Sequence, residues 1–371
     1  MKIATKNEMP PATDEDDTGA VLHAADLTQD VAQPMEESES EEPEESEPEK
    51  DGKAESSLSK EGSAKTGDVL PAVRVFEYAE AFGARFQSFW DTCWSAFCAY
   101  DETTTIPAMR YTHDRDANVT TKDTLQVLSV KVESIEEGLR WPLQVFGMVS
   151  ARDVVDRKRN IIFHRERDNC QTITEQDPYL TLTGPSRPVV VCIDPSYIEV
   201  VLKVKGATES EDKELSRLAA VYRQSCWING LYPCELSTLE LRFSPVFGSV
   251  EATVHVKVTG GSWPDGFKGV FSAATARKEC AVVKLLEVGD DGLPVDAADG
   301  MIRLSRRVVS VELHGMLKVF VSACSAAGDE EEVCEASFVP AEAGVSSGVE
   351  LKIGSCRMEA TVAWSLFCRY Y

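Results

Sequence analysis

The sequence is poor in the patterns that usually betray chemistry. It has five histidines in 371 residues, and they are scattered (His23, His113, His164, His255, His314). None belongs to a His-x-His or His-Glu-x-x-His word, which removes the familiar zinc-enzyme signature. The 11 cysteines include no Cys-x-x-Cys pair; the nearest neighbours are Cys93 with Cys98, Cys226 with Cys234 and Cys324 with Cys334. No structural zinc site is expected from such spacing. There is no Gly-x-Ser-x-Gly elbow to present a nucleophilic serine and no phosphate-binding glycine loop of the Walker or dinucleotide kind. Apolar runs stay well short of the roughly 18 residues needed to span a bilayer, and the N-terminus has neither a signal-peptide core nor an Arg-rich amphipathic character. These absences predict no catalytic residue, no metal and no cofactor. They predict a soluble cytoplasmic or nuclear protein with reduced thiols and no membrane contact.

Positive charge is also scarce. The chain carries 62 acidic and 38 basic residues, a net charge of −24. Residues 1–68 contribute −14 of this, from 20 acidic and 6 basic side chains. An acidic surface repels phosphate backbones, so generic nucleic-acid binding is disfavoured. The same segment is low in aromatics and rich in Glu, Ser, Pro and Lys, and is expected to be a disordered acidic tail. Ser38 has Glu41 three residues on, and Ser46 has Glu49, the context that acidophilic kinases accept. Phosphorylation there would add about −1.5 to −2 per site.

What is present begins at Val69. From Val73 to Tyr100, apolar residues recur at steps of three and four: Val75, Ala79, Phe82, Phe86, Phe89 or Trp90, Cys93, Phe97 and Tyr100. The spacing predicts one amphipathic, aromatic helix of roughly 25 residues inside the segment 69–103. Gly83 weakens it by about 1 kcal/mol relative to Ala, and Thr103 to Thr105 with Pro107 are expected to end it. An apolar stripe of this size needs cover. Either the following domain supplies it, or the stripe serves self-association or a protein partner.

A linker over 104–122 leads into residues 123–371, which read as strands. Leu128, Val130 and Val132 alternate with polar residues, and so do Val250, Ala252, Val254, Val256 and Val258. Val309, Val311 and Leu313 continue past Gly315, where the phase shifts to Leu317, Val319 and Val321; Gly315 is therefore a candidate bulge. Met358, Ala360, Val362, Trp364 and Leu366 form the last such run. In the run Ile198, Val200, Leu202, Val204, the alternation with Glu199 and Lys203 is broken by Val201. The one helical competitor is short and polar, around residues 209–218. Short connections and half-polar strands favour antiparallel pairing in two packed sheets. The expected fold class is mainly β: a large antiparallel sandwich of about a dozen strands, behind one helix and an acidic tail.

Two features within the β region invite function. Arg152, Arg157, Lys158, Arg159, Arg165 and Arg167 stand against Asp153, Asp156, Glu166 and Asp168, an electropositive island in an acidic chain. With His164 it reads either as a solvated edge hairpin or as an anion or RNA contact through Arg157, Lys158, Arg159, His164, Arg165 and Arg167. The loop 260–266, Gly-Gly-Ser-Trp-Pro-Asp-Gly, carries Trp263, which either stacks on a sugar or base or folds back on its own sheet. Asp290 and Asp291 sit in a turn-forming segment where Asp serves local backbone hydrogen bonds.

The words TLQVLSVKV, GLRWPLQVFGMVSARD, DRKRNIIFHRERDNCQ, DPYLTLTGPSRPVVV and KVKGATESEDKELS resemble a plant domain-of-unknown-function family found mainly in grasses, DUF6598. The domain also resembles the C-terminal part of cereal jasmonate-induced ribosome-inactivating proteins, whose RNA N-glycosylase chemistry lies in a separate N-terminal domain. Such enzymes use a Glu and an Arg on one helix face. Here Glu80 and Arg85 are five apart, which places them roughly 140° apart on a helix, so glycosylase activity is not expected. The resemblance implies a stress- or defence-related binding module without catalysis. The rival reading is a hydrolase-like enzyme whose site is assembled from residues distant in sequence.

Overall fold

A computed structural model describes residues 70–109, 119–223, 230–275, 281–325 and 331–368, with side chains from Tyr78 to Phe367. The expectations for the tail over 1–68, Ser38 and Ser46 included, lie outside these described residues. The order is helix α1 (Leu70–Trp94), then β1 (Val119–Thr120), β2 (Lys122–Ile135), β3 (Leu143–Arg152), β4 (Asn160–Arg165), β5 (Gln171–Ile173) and β6 (Val189–Val190). There follow β7 (Ser196–Val204), β8 (Lys213–Tyr222), β9 (Gly230–Cys234), β10 (Ser237–Gly260), β11 (Phe267–Thr275) and β12 (Val282–Val288). The chain closes with β13 (Val308–Glu312), β14 (Leu317–Ser325), β15 (Glu331–Phe338), β16 (Ala343–Ile353), β17 (Cys356–Ser365) and β18 (Phe367–Cys368).

The fold is mainly β, and every strand ladder among the described residues is antiparallel. Seven strands form one sheet, in the order β16-β17-β10-β2-β6 with β9 and β13 also paired to β10. A five-stranded sheet (β4-β3-β7-β8, with β5 on β3) and a four-stranded sheet (β12-β11-β14-β15) accompany it. The expected mainly β, antiparallel, sandwich-like fold is present, built from several sheets around two large hydrophobic cores. Leu239, Leu241 and Phe243 of β10 pack with β3, β7 and β8 residues in the first core. Val250, Ala252, Val254 and Val256 of the same strand pack with the four-stranded sheet in the second. The inward phase changes from odd to even numbers across an irregularity between Val246 and Ser249, where Gly248 has a positive φ of 54°. A bulge of this kind bends a strand and re-aims its side chains.

Three local expectations are corrected. Gly315 is no bulge: its N–H donates to the Glu312 carbonyl at 2.8 Å, in a turn that carries the chain from β13 in one sheet to β14 in another. Residues 209–218 are not a helix beyond one 3-10 turn at Glu209–Glu211; β8 follows at once and buries Leu215, Leu218, Ala220 and Tyr222 in the first core. Helix α1 stops at Trp94, ahead of the Thr and Pro signals, and a turn follows in which the N–H groups of Phe97 and Cys98 share the Trp94 carbonyl. Phe97 therefore leaves the stripe and is 74% exposed.

From Ala79 to Trp90 the stripe is covered by the chain's own strands. Ala79, Phe82, Phe86 and Trp90 are buried, and α1 packs on β8 and β9. Phe86 and Phe89 meet Tyr197 of β7 with ring centroids 5.4 and 5.7 Å apart. Aromatic contacts of this geometry contribute about 0.5–1.5 kcal/mol each beyond area burial. Gly83, a weak helix former, is explained by this packing: a Cβ there would lie 2.5 Å from the Leu218 Cα. Gly83→Ala is thus predicted to destabilise the protein by about 1–3 kcal/mol, opposite in sign to the helix-propensity gain. Denaturant unfolding of the two proteins measures it.

Candidate functional site

One end of the electropositive island is built into the interior. Arg152 of β3 is fully buried; its Nε donates to Glu199 Oε2 at 3.0 Å and its Nη2 to the Tyr100 carbonyl. The Trp90 ring lies 4.2 Å from its guanidinium carbon. Arg159 grips the same carboxylate, with Nε to Oε2 at 3.2 Å and Nη2 to Oε1 at 2.8 Å. The Tyr100 hydroxyl donates to Oε1 at 2.6 Å. Burial pushes the Glu199 carboxyl up, but hydrogen bonds and charge from Arg159 and Arg152 hold it below the usual range. Burial, with Glu199 alongside, pushes the Tyr100 phenol up to about 12, so it stays a donor.

The other site residues expected from the sequence are placed as follows. Arg157 lies over the Trp94 ring at 4.2 Å and pairs with Asp194 at 3.6 Å. Lys158 pairs with Glu102 at 2.6 Å, and Arg167 with Asp212 at 2.9 Å. His164 is exposed and Arg165 half-buried, and neither has an ion pair among the described residues. Four of these six groups therefore face carboxylates of the same chain. Glu80 and Arg85 are also apart: Glu80 accepts the Glu235 N–H at 2.8 Å, while Arg85 turns back to the Ala81 carbonyl.

A second buried set continues the first. Arg187 forms a bidentate pair with Asp153 at 2.7 and 2.9 Å and reaches Asp156 at 2.9 Å. Asp156 also accepts from the Thr104 hydroxyl. Glu251 of β10 accepts the Met109 N–H at 2.8 Å and the Thr253 hydroxyl at 3.2 Å. The segment from Tyr100 to Met109 is thereby strapped across the domain by carboxylates and guanidiniums. Burial pushes the Glu251 carboxyl up to about 7, against the pull of these hydrogen bonds and of Arg187 and Arg307.

A concave feature of the surface lies elsewhere. The loop 261–266 between β10 and β11 and the segment 289–295 after β12 line a cleft of about 640 Å³. Trp263 folds back on its hairpin, its Nε1 donating to the Phe267 carbonyl at 3.0 Å. A Cβ at Gly269 would lie 2.7 Å from the indole, and the Phe271 ring is 6.0 Å away. The folded-back ring is itself part of the cleft wall. Gly261 has a φ of 71°, and a Cβ there would stand 2.0 Å from the Ser355 carbonyl oxygen, so the loop requires glycine. Asp265, Asp290 and Asp291 are exposed around the cleft, with Lys268 paired to Asp290 at 3.0 Å. No group of three His, Cys, Asp or Glu side chains among the described residues could hold a metal ion.

Glu199, Arg187 and Glu251 escaped the sequence reading because their partners lie tens of residues away. One signal was there: Val201 beside Val200 breaks the two-residue period because both faces of β7 are covered, its burial running unbroken from Ser196 to Val200. For the cleft the sequence offered Trp263 in its glycine-rich loop and turn chemistry at Asp290 and Asp291, but no sign that the two segments meet.

A family model described as a domain of unknown function, DUF6598, matches residues 124–362. No curated protein matches the chain. Human GIVD cytosolic phospholipase A2 aligns with a TM-score of 0.20 and 8% identity, over 67% of this chain and 33% of that one. The tandem C2 domains of Extended-Synaptotagmin 2 align with a TM-score of 0.22 and 6% identity, over 71% and 98%. The chain thus spans about a third of the phospholipase's length, and scores this low carry no inference about fold or function.

Glu251 sets a pH dependence of stability. Its folded value of about 7 lies above the ordinary 4.5, so the folded state holds a proton that the unfolded chain has lost. The contribution is full below about pH 4.5 and disappears as pH rises through about 7. Glu251→Gln keeps an acceptor for Met109 and is predicted to gain stability over wild type progressively from pH 5 to pH 8, by at most about 3 kcal/mol. Parallel unfolding curves across that range would reject the assignment if the difference stays flat.

Proposed function

The chain belongs to the DUF6598 family, a domain of unknown function, and we propose that it works as a non-catalytic binding module that receives its ligand in the loop cleft. The observation that carries this reading is the preformed cleft of about 640 Å³ beside Trp263, a size typical of small-ligand sites. Its walls are set by backbone and core contacts before any ligand arrives, through the Trp263 to Phe267 hydrogen bond and the tight turn at Gly261. Both large hydrophobic cores, by contrast, are packed with aliphatic and aromatic side chains. The buried carboxylates and guanidiniums are turned toward one another and toward the backbone, an arrangement that supports a role in holding the domain together. We place the module in a stress or defence setting, following its resemblance to the C-terminal part of cereal jasmonate-induced ribosome-inactivating proteins.

The reading is tested by titrating the 15N-labelled chain with a library of small polar metabolites while following its tryptophan indole N–H resonances. The Trp263 resonance, assigned through Trp263→Phe, is expected to move with ligand while those of the buried Trp90 and Trp364 hold still. Binding that leaves Trp263 unmoved and shifts the segment from Arg157 to Arg167 would transfer the site to the basic island.

A further inference from the structure

Resting on that reading of the cleft, we infer that its ligand is a neutral saccharide, a short run of sugar rings laid against Trp263. The indole is a flat apolar surface, and it is immobilised in advance by the hydrogen bond to Phe267, by Gly269 beneath it and by Phe271 at 6.0 Å. An aromatic held in its bound geometry loses little freedom when a ligand stacks on it. The C–H face of a pyranose meets the negative face of such a ring favourably, in keeping with its quadrupole.

The polar groups around the ring select for hydroxyl donors. Asp265 and Asp291 come from the two loops that wall the cleft, are exposed, and have no side-chain hydrogen-bond or ion-pair partner among the described residues. Carboxylates in this position are strong acceptors for sugar hydroxyls. Lys268 is the one cation among the described residues of the lining, and it is already paired with Asp290 at 3.0 Å. The excess of carboxylates repels phosphate- or carboxylate-bearing ligands. A compact cation would call for converging acceptors, whereas no three acidic, Cys or His groups converge among the described residues. A ring of hydroxyls spreads its donors over the two walls instead. Trp263, Val258, Leu293 and Val295 supply the apolar surface that a sugar's C–H faces cover.

Isothermal titration of the full chain with cellohexaose, xylohexaose and mannohexaose tests the inference, with spermidine and inorganic phosphate as competing probes. At least one hexasaccharide is expected to bind, to shift the Trp263 indole resonance, and to do so equally at low salt and about 0.5 M salt, where charge attraction is screened. Trp263→Ala is expected to weaken binding about tenfold or more, equivalent to 1.4 kcal/mol. Asp265→Ala with Asp291→Ala, at exposed positions, should do the same with an unchanged melting temperature, which separates loss of the site from loss of the fold. Spermidine binding at Trp263 without any hexasaccharide binding overturns the saccharide and leaves the cleft reading standing. Saccharide binding that survives both variants overturns the inference by moving the sugar elsewhere. Silence toward every probe here, together with an unmoved Trp263 in the metabolite screen, overturns both.

Discussion

Strand β10 is the wall that both large hydrophobic cores share, and the rest of the structure depends on its being shared. Its 24 residues extend through roughly 80 Å of chain at strand rise, far longer than an ordinary strand. Near its start it is flanked by β2 and β9, and beyond Ser249 by β13 and β17. A strand common to two cores couples them, because register errors in one half would turn the apolar face of the other half outward. The irregularity between Val246 and Ser249 lets each half present its own inward phase.

The buried charges perform a second coupling. Arg152, Arg159, Glu199 and Tyr100 join the end of α1 to β3 and β7, while Arg187, Asp153, Asp156 and Glu251 carry the connection to β10. Pairs of this kind are costly to desolvate and add little net stability over apolar packing, but breaking one partner leaves a buried charge uncompensated. Their effect here is positional. In the segment from Tyr100 to Met109, hydrogen bonds to Glu199, Asp156 and Glu251 hold the polar stretch between Tyr100 and Ile106 and the Met109 end against the domain. Arg306 makes the same point differently. Buried without a carboxylate partner among the described residues, it donates to the Val127 carbonyl at 2.7 Å, and burial pulls its guanidinium down to about 10.

Much of this architecture was legible in the residues. The alternation of Val250 to Val258 and of Met358 to Leu366 reads directly as strands, and both appear, in β10 and β17, although Glu251 and Thr253 on the polar phase of β10 are buried as well. The step of three and four from Ala79 to Trp90 reads as one helical face, and that face is buried. Legibility failed where a residue's role depends on something across the fold. Gly83 looks like a weak helical position until Leu218 is seen against it. The basic run from Arg152 to Arg167 looks electropositive until Glu199, Asp194, Glu102 and Asp212 are seen facing it. Trp263 reads either as a stacking ring or as one folded back on its own sheet; the hairpin holds it, and the held ring also lines a cleft with a second loop, the segment 289–295.

The amino-acid sequence by itself determined that the domain is β-rich and antiparallel, that an aromatic helix precedes it, and where the apolar faces lie. Those are consequences of side-chain periodicity, which is a local property of the chain. Only the tertiary structure decided that one sheet serves two cores, that most of the positive island is paired with carboxylates of the same chain, and that two remote loops meet around Trp263. Pairing between distant strands creates those features, and the energy of a contact between residues far apart in sequence leaves no period along the chain to be read.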